Sequence, residues 1–178
     1  MRLMRALGPG SVSSLLKIIL DVVFVALWIG SVAAGLLLLI ALLLSFNPDL
    51  IAMIAIDVNG LALVKQWPMV MAALIGGTLY LSGVLIIVAR LRQIFATLMA
   101  GDPFHPENVS RLRIIGLALG SLELVRYAVR LASDILDLNL KRDDGVSLTA
   151  WFSVLVVFVL AEVFREGARL RQEAELTI

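Results

Sequence analysis

The stretch VVFVALWIGSVAAGLLLLIALLLSF, residues 22–46, runs for 25 positions without a charged residue. The hydrocarbon core of a bilayer is about 30 Å thick, and about 20 apolar residues in a helix are needed to cross it. The stretch is also longer than the apolar region of about 7–15 residues that a cleavable secretory signal contains. It therefore predicts an uncleaved first transmembrane helix over about residues 14–46.

The composition of the whole chain agrees with a membrane protein. Of its 178 residues, 61% are hydrophobic and only 16% are charged, which lies outside the range of ordinary soluble domains. The chain has no cysteine and a single histidine, His105, so we predict no metal site and no cofactor. The formal net charge is +1 and the basic residues are dispersed, which argues against direct nucleic-acid binding.

Three more helices are predicted further along the chain. They cover about residues 67–99, 106–133 and 146–175, with outer loops at 47–66 and 134–149 and a cytoplasmic loop at 100–110. The third helix contains Glu123, Arg126 and Arg130 and is the least apolar, but we expect it to cross because the basic residues then segregate to one side. The predicted fold is an all-α integral membrane protein, a bundle of four transmembrane helices in one domain.

The distribution of lysine and arginine predicts the orientation, because short cytoplasmic loops are enriched in these residues. The outer loops hold three, Lys65, Lys141 and Arg142. The inner side holds ten, namely Arg2, Arg5, Lys17, Arg90, Arg92, Arg111, Arg113, Arg165, Arg169 and Arg171. Both termini are therefore predicted to lie in the cytoplasm, in a bacterial inner membrane.

The two outer loops predict β-hairpins. In the first, the dipeptide Asn59-Gly60 separates the apolar runs IAMIAIDV and LALVKQW, and such a dipeptide supplies the positive backbone torsions of a tight turn. In the second, residues 136–141 and 146–149 alternate around the sequence RDDG. Two such hairpins would form a small sheet over the outer face.

The third helix is predicted to carry a polar face. At 100° per residue, an arc of about 100° contains Glu123, Arg126, Tyr127, Arg130, Asp134 and Asp137. The spacing brings Glu123 next to Arg126 and Arg130 next to Asp134. Since a charge at the bilayer centre costs about 2.5–3.5 kcal/mol, these groups should face other helices. Three interpretations stay open: a structural ion-pair network, a proton or ligand site, and an oligomer interface.

A further candidate for this network is Asp21, in the inner third of the first helix. It is expected to reach the polar face of the third helix or a partner, or else to pair locally with Lys17, which lies four residues earlier.

Two cytoplasmic segments form a second candidate site. The residues concerned are Gly101, Pro103, Phe104 and Asn108 in the central loop, and Leu176, Thr177 and Ile178 at the end of the chain. Together they are predicted to form one cytoplasmic platform, since both segments follow the inner ends of helices. The alternative is that Phe104 and Asn108 only cap and staple the third helix.

The segments GDPFHPENVSRLRIIG, residues 101–116, and AEVFREGARLRQEAELTI, residues 161–178, resemble the bacterial membrane family catalogued as domain of unknown function 2975. The resemblance implies a four-helix membrane protein with no assigned activity, often encoded beside a small helix-turn-helix transcription regulator. By association it implies a membrane component that senses a condition or restrains such a regulator. It implies no catalytic residues.

No enzyme is predicted, because the sequence has no histidine cluster, no nucleotide-binding glycine loop and no triad spacing. Our leading hypothesis is a non-enzymatic membrane protein that binds a cytoplasmic protein partner such as a transcription regulator. The alternative is a small transporter or proton-conducting assembly that uses the polar face of the third helix. This alternative requires a homo-oligomer, since four helices leave little room for a pathway.

Overall fold

The computed structural model describes residues 12–47, 49, 67–135 and 147–176. Over these residues the chain forms four long helices: α1 (Val12–Ser45), α2 (Trp67–Met99), α3 (Pro106–Ile135) and α4 (Leu148–Glu175). At 1.5 Å per residue they are about 42 to 51 Å long. Each helix is therefore longer than the hydrocarbon core is thick.

Helices α1, α2 and α4 are long and apolar enough to cross a membrane. In their most apolar windows only 6%, 6% and 11% of the residues are buried inside the chain, so most of their side chains require an apolar solvent. The chain is therefore a membrane protein. By length and composition alone, three helices qualify as spans where the sequence predicts four, because Glu123, Arg126 and Arg130 interrupt the apolar surface of α3.

The helices pack in the order of the chain, α1 on α2, α2 on α3 and α3 on α4. Within the described ranges, α1 contacts neither α3 nor α4, and α2 does not contact α4. The arrangement is an open row, which corrects the predicted bundle. The physical reason is that an apolar helix surface is about as stable against lipid acyl chains as against another apolar helix. Helix α1 therefore packs only against a helix that offers a polar partner or a close fit.

Helix α3 runs antiparallel to α2 along most of its length. Gly76 lies against Val129 at one end, and Thr97 is hydrogen-bonded to Asn108 at the other. Between them, Gly83 is so close to Leu122 that a Cβ atom on the glycine would lie 2.5 Å from the leucine side chain. Small residues on α2 thus allow the two backbones to approach closely.

Helix α4 packs on another side of α3, also antiparallel. Gly116 lies against the ring of Phe158, 3.0 Å from where a Cβ atom would stand. Toward the other end, the indole nitrogen of Trp151 donates a hydrogen bond of 3.2 Å to the Tyr127 hydroxyl. α3 is therefore flanked over its length by two helices that are long and apolar enough to cross a membrane.

The described part of the chain contains no β-strand, so the predicted hairpins are wrong wherever the structure describes their residues. Asp134 and Ile135 belong to α3, and the predicted strand at 146–149 includes the start of α4. Ser147 caps α4, because its side chain accepts a hydrogen bond of 3.2 Å from the amide of Ala150. The remaining loop residues, 48, 50–66 and 136–146, lie outside the described ranges.

The correction has a physical reason in the sequence itself. An alternating segment of four residues is too short to distinguish a strand from the first turn of a helix. A serine directly before an apolar run is an N-cap signal, and here that signal outweighs the alternation.

Candidate functional site

The connection between α2 and α3 is built around Asn108, which is polar and yet 0% exposed. Its Nδ2 donates to Thr97 Oγ1 at 2.7 Å and to the Pro103 carbonyl at 3.1 Å. Its Oδ1 accepts from Arg111 Nη1 at 2.8 Å. Both amide hydrogens and the carbonyl oxygen are therefore used, and one side chain joins the last turns of α2, the loop and the start of α3.

The backbone of the same loop is fixed by the way α2 ends. Gly101 has a φ of 82°, a left-handed conformation that glycine adopts without steric penalty. Its amide donates to the Leu98 carbonyl at 3.1 Å, and the amide of Asp102 donates to the Thr97 carbonyl at 3.0 Å. This pair of bonds is the Schellman motif, which satisfies carbonyls that the helix end would leave open.

Arg111 adds a second connection between α3 and α2. It forms an ion pair with Glu107 one turn earlier, and Nη1 also donates to the Gln93 carbonyl at 3.4 Å. The Arg111 side chain thus connects the first turns of α3 to the last turns of α2.

Phe104 fixes the loop onto α4. Its ring lies over Gly167, where a Cβ atom would stand 2.6 Å from two ring carbons. The ring also packs against Phe164, with centroids 5.6 Å apart and planes inclined by 52°. Only a residue without a side chain allows this approach, so Gly167 is a notch in α4 that the phenyl ring fills.

An ion pair between Asp102 and Arg171 closes the contact further along α4. The loop is thus held by a hydrogen-bonded asparagine on one side and by a ring and an ion pair on the other. We call residues 101–108 together with residues 164–171 of α4 the loop–α4 platform.

The platform brings together the four loop residues that the sequence singled out, Gly101, Pro103, Phe104 and Asn108. Leu176 is exposed at the end of α4 and its amide donates to the Gln172 carbonyl. Thr177 and Ile178 lie outside the described ranges. Asn108 contacts α2 and the loop, so it does more than cap α3.

On the polar face of α3, Glu123 and Arg126 form an ion pair with Oε2 and Nη2 2.7 Å apart. The Glu123 side chain is 14% exposed and that of Arg126 36%. These two atoms and Arg126 Nε are buried without an aligned hydrogen bond among the described residues. The pair is therefore an electrostatic contact whose hydrogen-bonding capacity is only partly used.

Tyr127 lies beside this pair and connects it to α4. The guanidinium carbons of Arg126 and Arg130 lie 5.7 Å and 5.9 Å from the centre of the tyrosine ring, within the range of cation–π attraction. Its hydroxyl accepts the hydrogen bond from Trp151. Asp134 belongs to α3, but the surroundings of its side chain lie outside what the structure describes.

Asp21 is separate from this group. Its Oδ1 accepts a hydrogen bond of 2.6 Å from Arg92 Nε, in α2. The same guanidinium lies 4.3 Å from the centre of the Phe24 ring. Asp21 thus fastens α1 to α2 and pairs with Arg92 instead of the polar face of α3, while Lys17 lines a cleft of about 460 Å³ beside the pair.

Sequence reasoning missed the partners that lie on other helices. Arg92, Thr97 and Gly167 each complete a contact whose other member was a candidate, and in the ion pair of Arg171 with Asp102 neither member was one. One signal was present for Gly167, a glycine within a run of strong helix formers, since such a residue usually has a packing reason. No pattern in the sequence pointed to Arg92, which lies 71 residues from Asp21.

Comparisons with known proteins give one family. The family model described as "Protein of unknown function (DUF2975)" matches residues 62–178, which is well over half of the chain. No curated protein and no solved structure matches. The matched residues include α2, α3, α4 and the loop–α4 platform, while α1 precedes them. The resemblance seen in the two motifs is thereby confirmed, and the chain belongs to the family of proteins of unknown function DUF2975.

Proposed function

We propose that the protein is a non-enzymatic protein of the bacterial inner membrane that binds a cytoplasmic protein partner through the loop–α4 platform. The distribution of lysine and arginine supports this orientation, because it favours a cytoplasmic position for both termini and for loop 100–110. The partner class that the family resemblance suggests is a small transcription regulator.

The observation that carries the proposal is that the loop is held in one conformation from both sides. Asn108 is buried with every side-chain hydrogen-bonding group in use, and Phe104 fills the notch at Gly167. A surface that is ordered before binding loses less conformational entropy when a partner docks. Such ordering in an exposed connection is more than the connection of two helices requires.

The platform also presents apolar side chains to water. Phe104 is 38% exposed and Leu170 is 55% exposed. Leu170 follows Gly167 by three residues, so it lies on the side of α4 that holds the Phe104 ring. Charged residues of both signs surround them, including Glu166 and Arg169. An apolar centre with a charged rim is the usual anatomy of a protein–protein interface.

The test is site-specific photocrosslinking in living cells. With a photoreactive phenylalanine analogue at Leu170, we expect a discrete adduct with one cytoplasmic protein, and none with the analogue at Phe152, which is exposed on the apolar part of α4. Gly167→Leu should abolish the Leu170 adduct, because its side chain displaces the Phe104 ring. An adduct that forms equally at Phe152, or that survives Gly167→Leu unchanged, would contradict the proposal, as would no adduct at Leu170.

We infer a second candidate function, proton conduction, from the pair of Glu123 and Arg126. α3 packs along α2 and α4, which supports a position of this pair within the layer that those two candidate spans would cross. Buried polar atoms without aligned hydrogen bonds mark it as an incompletely satisfied ionic site, and ionisable groups in a membrane are functional candidates. Since the described helices form an open row, a pathway would require several copies of the chain.

The variant Glu123→Gln distinguishes the two functions in proteoliposomes. If the protein only binds a partner, neither the wild-type protein nor the variant conducts protons. The ion pair is then structural, and the variant has a free energy of unfolding lowered by about 1–3 kcal/mol because Arg126 loses its partner in a partly buried site. The second predicts that wild-type protein dissipates a pH gradient and that the variant, still folded, does not. Glu166→Gln is the matched control, since it removes the same charge from an exposed ion pair.

A further inference from the structure

A cleft of about 600 Å³ lies between the first turns of α3 and the last turns of α4. α3 contributes Val109 and Arg113, and α4 contributes Arg165, Arg169 and Gln172. On each helix these residues are separated by three or four positions, so the cleft is bounded by two facing helix sides.

The lining of this cleft is strongly basic. It contains four arginines against one aspartate, Asp102, which is a net charge of +3 before the neighbouring Glu162, Glu166 and Glu173 are counted. The arginines are Arg113, Arg165, Arg169 and Arg171. Guanidinium groups bind phosphate oxygens in a bidentate geometry, and a cluster of them is the usual recognition element for a phosphate group.

Arg113 is the member of the cluster that is open to a ligand, because it forms no ion pair with any residue that the structure describes. Arg165 pairs with Glu162, and Arg169 pairs with Glu166 and Glu173. These pairs are largely exposed, and exposed ion pairs are weak. An anion that contacts several guanidiniums at once can therefore displace the outer carboxylates.

The cleft lies where the apolar surface of the helices ends. Gly116 packs against Phe158 in the antiparallel pair, so Arg113, three residues before Gly116, lies near the level of Ala161. Ala161 is the last residue of α4 before its charged part begins at Glu162. One turn deeper on the same side of α3 as Arg113 is Leu117, which is 65% exposed. An acyl chain attached to a charged group in the cleft could thus lie over the apolar surface at Leu117.

We propose that this cleft binds the phosphate group of an anionic phospholipid, with Arg113 as its principal contact and an acyl chain along Leu117. Basic pockets between membrane helices on the cytoplasmic side are suited to such headgroups. The exposed leucine below the arginine favours a lipid over free phosphate as the source of the group. Seven of the ten lining residues also belong to the loop–α4 platform, but the inference goes beyond the proposed function, because it concerns a lipid and requires no protein partner.

The experiment is a titration of the purified full chain, in an uncharged detergent, with dioctanoyl phosphatidylglycerol, dioctanoyl phosphatidylcholine or inorganic phosphate, followed by native mass spectrometry. We expect saturable binding of phosphatidylglycerol that is at least tenfold tighter than binding of the other two. Each removed arginine should weaken it about fivefold, so Arg113→Gln combined with Arg165→Gln should weaken it by a factor of about 25. Arg90→Gln is the matched control, a partly exposed α2 arginine that does not line the cleft.

Equal affinity for phosphatidylglycerol and phosphatidylcholine would overturn the proposal. Inorganic phosphate binding as tightly as phosphatidylglycerol would overturn the assignment to a lipid. A double variant that binds like Arg90→Gln would overturn the assignment to this cleft, provided that circular dichroism shows both proteins equally helical. Since no other protein is present, none of these outcomes depends on a cytoplasmic partner.

Discussion

Replacing Asn108 with alanine is expected to lower the free energy of unfolding by about 2–4 kcal/mol, the largest effect of any single substitution considered for this protein. The variant leaves the Pro103 carbonyl and the Thr97 hydroxyl without their donor and removes the acceptor of Arg111 Nη1. Since the site is fully buried, water does not replace these partners without opening the loop.

The measurement is unfolding of the detergent-solubilised protein by a denaturing detergent, followed by circular dichroism. Asn47→Ala is the matched control, because Asn47 is exposed after the end of α1, and exposed substitutions usually change stability by less than about 0.5 kcal/mol. Thr97→Val combined with Asn108→Ala should be less destabilising than the sum of the two single changes, since both remove the same hydrogen bond. Equal stability of the two asparagine variants would show that the buried network contributes nothing.

The second large effect is at Gly167, where the same substitution is expected to change the stability in opposite directions in two backgrounds. In the wild-type protein, Gly167→Ala should destabilise by about 1–3 kcal/mol, because the added methyl group overlaps the Phe104 ring. In a protein that already carries Phe104→Ala, the same change should stabilise by about 1 kcal/mol. There the notch is empty and only the preference of a helix for alanine over glycine remains.

The reversal is measured as a double-mutant cycle on the same unfolding transition. Gly120→Ala serves as the reference for helix propensity, because no atom lies within 4 Å of the position its Cβ would take. If Gly167→Ala stabilises equally with and without Phe104, the ring does not occupy the notch in solution. The loop would then be free of α4, and the platform would lose its main support.

Much of the helical layout followed from the sequence because it depends on local properties. Uncharged length predicts a helix in lipid, and a spacing of three predicts that Glu123 meets Arg126, which the structure places 2.7 Å apart. Such inferences need only the geometry of one helix. The family could likewise be recognised from two continuous motifs.

Contacts between helices were beyond the same reasoning. The sequence left Asp21 between Lys17, the polar face of α3 and an unspecified partner, and the structure pairs it with Arg92 of α2. Which side of one helix meets which side of another depends on rotation and tilt, and these are determined by packing that no periodicity encodes. The contact of Phe104 with Gly167 was unpredictable for the same reason, since neither residue type indicates which residue it will contact.

The hairpin prediction failed for a different reason, the ambiguity of short segments. Alternation over residues 146–149 fits a strand, but a serine before an apolar run also fits the start of a helix. The structure has the helix, with Ser147 as its cap. In the part of the chain that the structure describes, propensity and capping outweighed a pattern of only four residues.

The position of α1 at the edge of the row bears on how the protein responds to bilayer thickness. Its uncharged stretch of 25 residues is about 38 Å long, against about 30 Å of hydrocarbon, and a helix relieves such mismatch by inclining in the membrane. Within the described ranges α2 is its only neighbour, and the ion pair of Asp21 and Arg92 lies near one end of their contact. Within the described ranges the inclination of α1 is therefore resisted by a single interface, so a change in bilayer thickness that alters this inclination acts on the contact between α1 and α2.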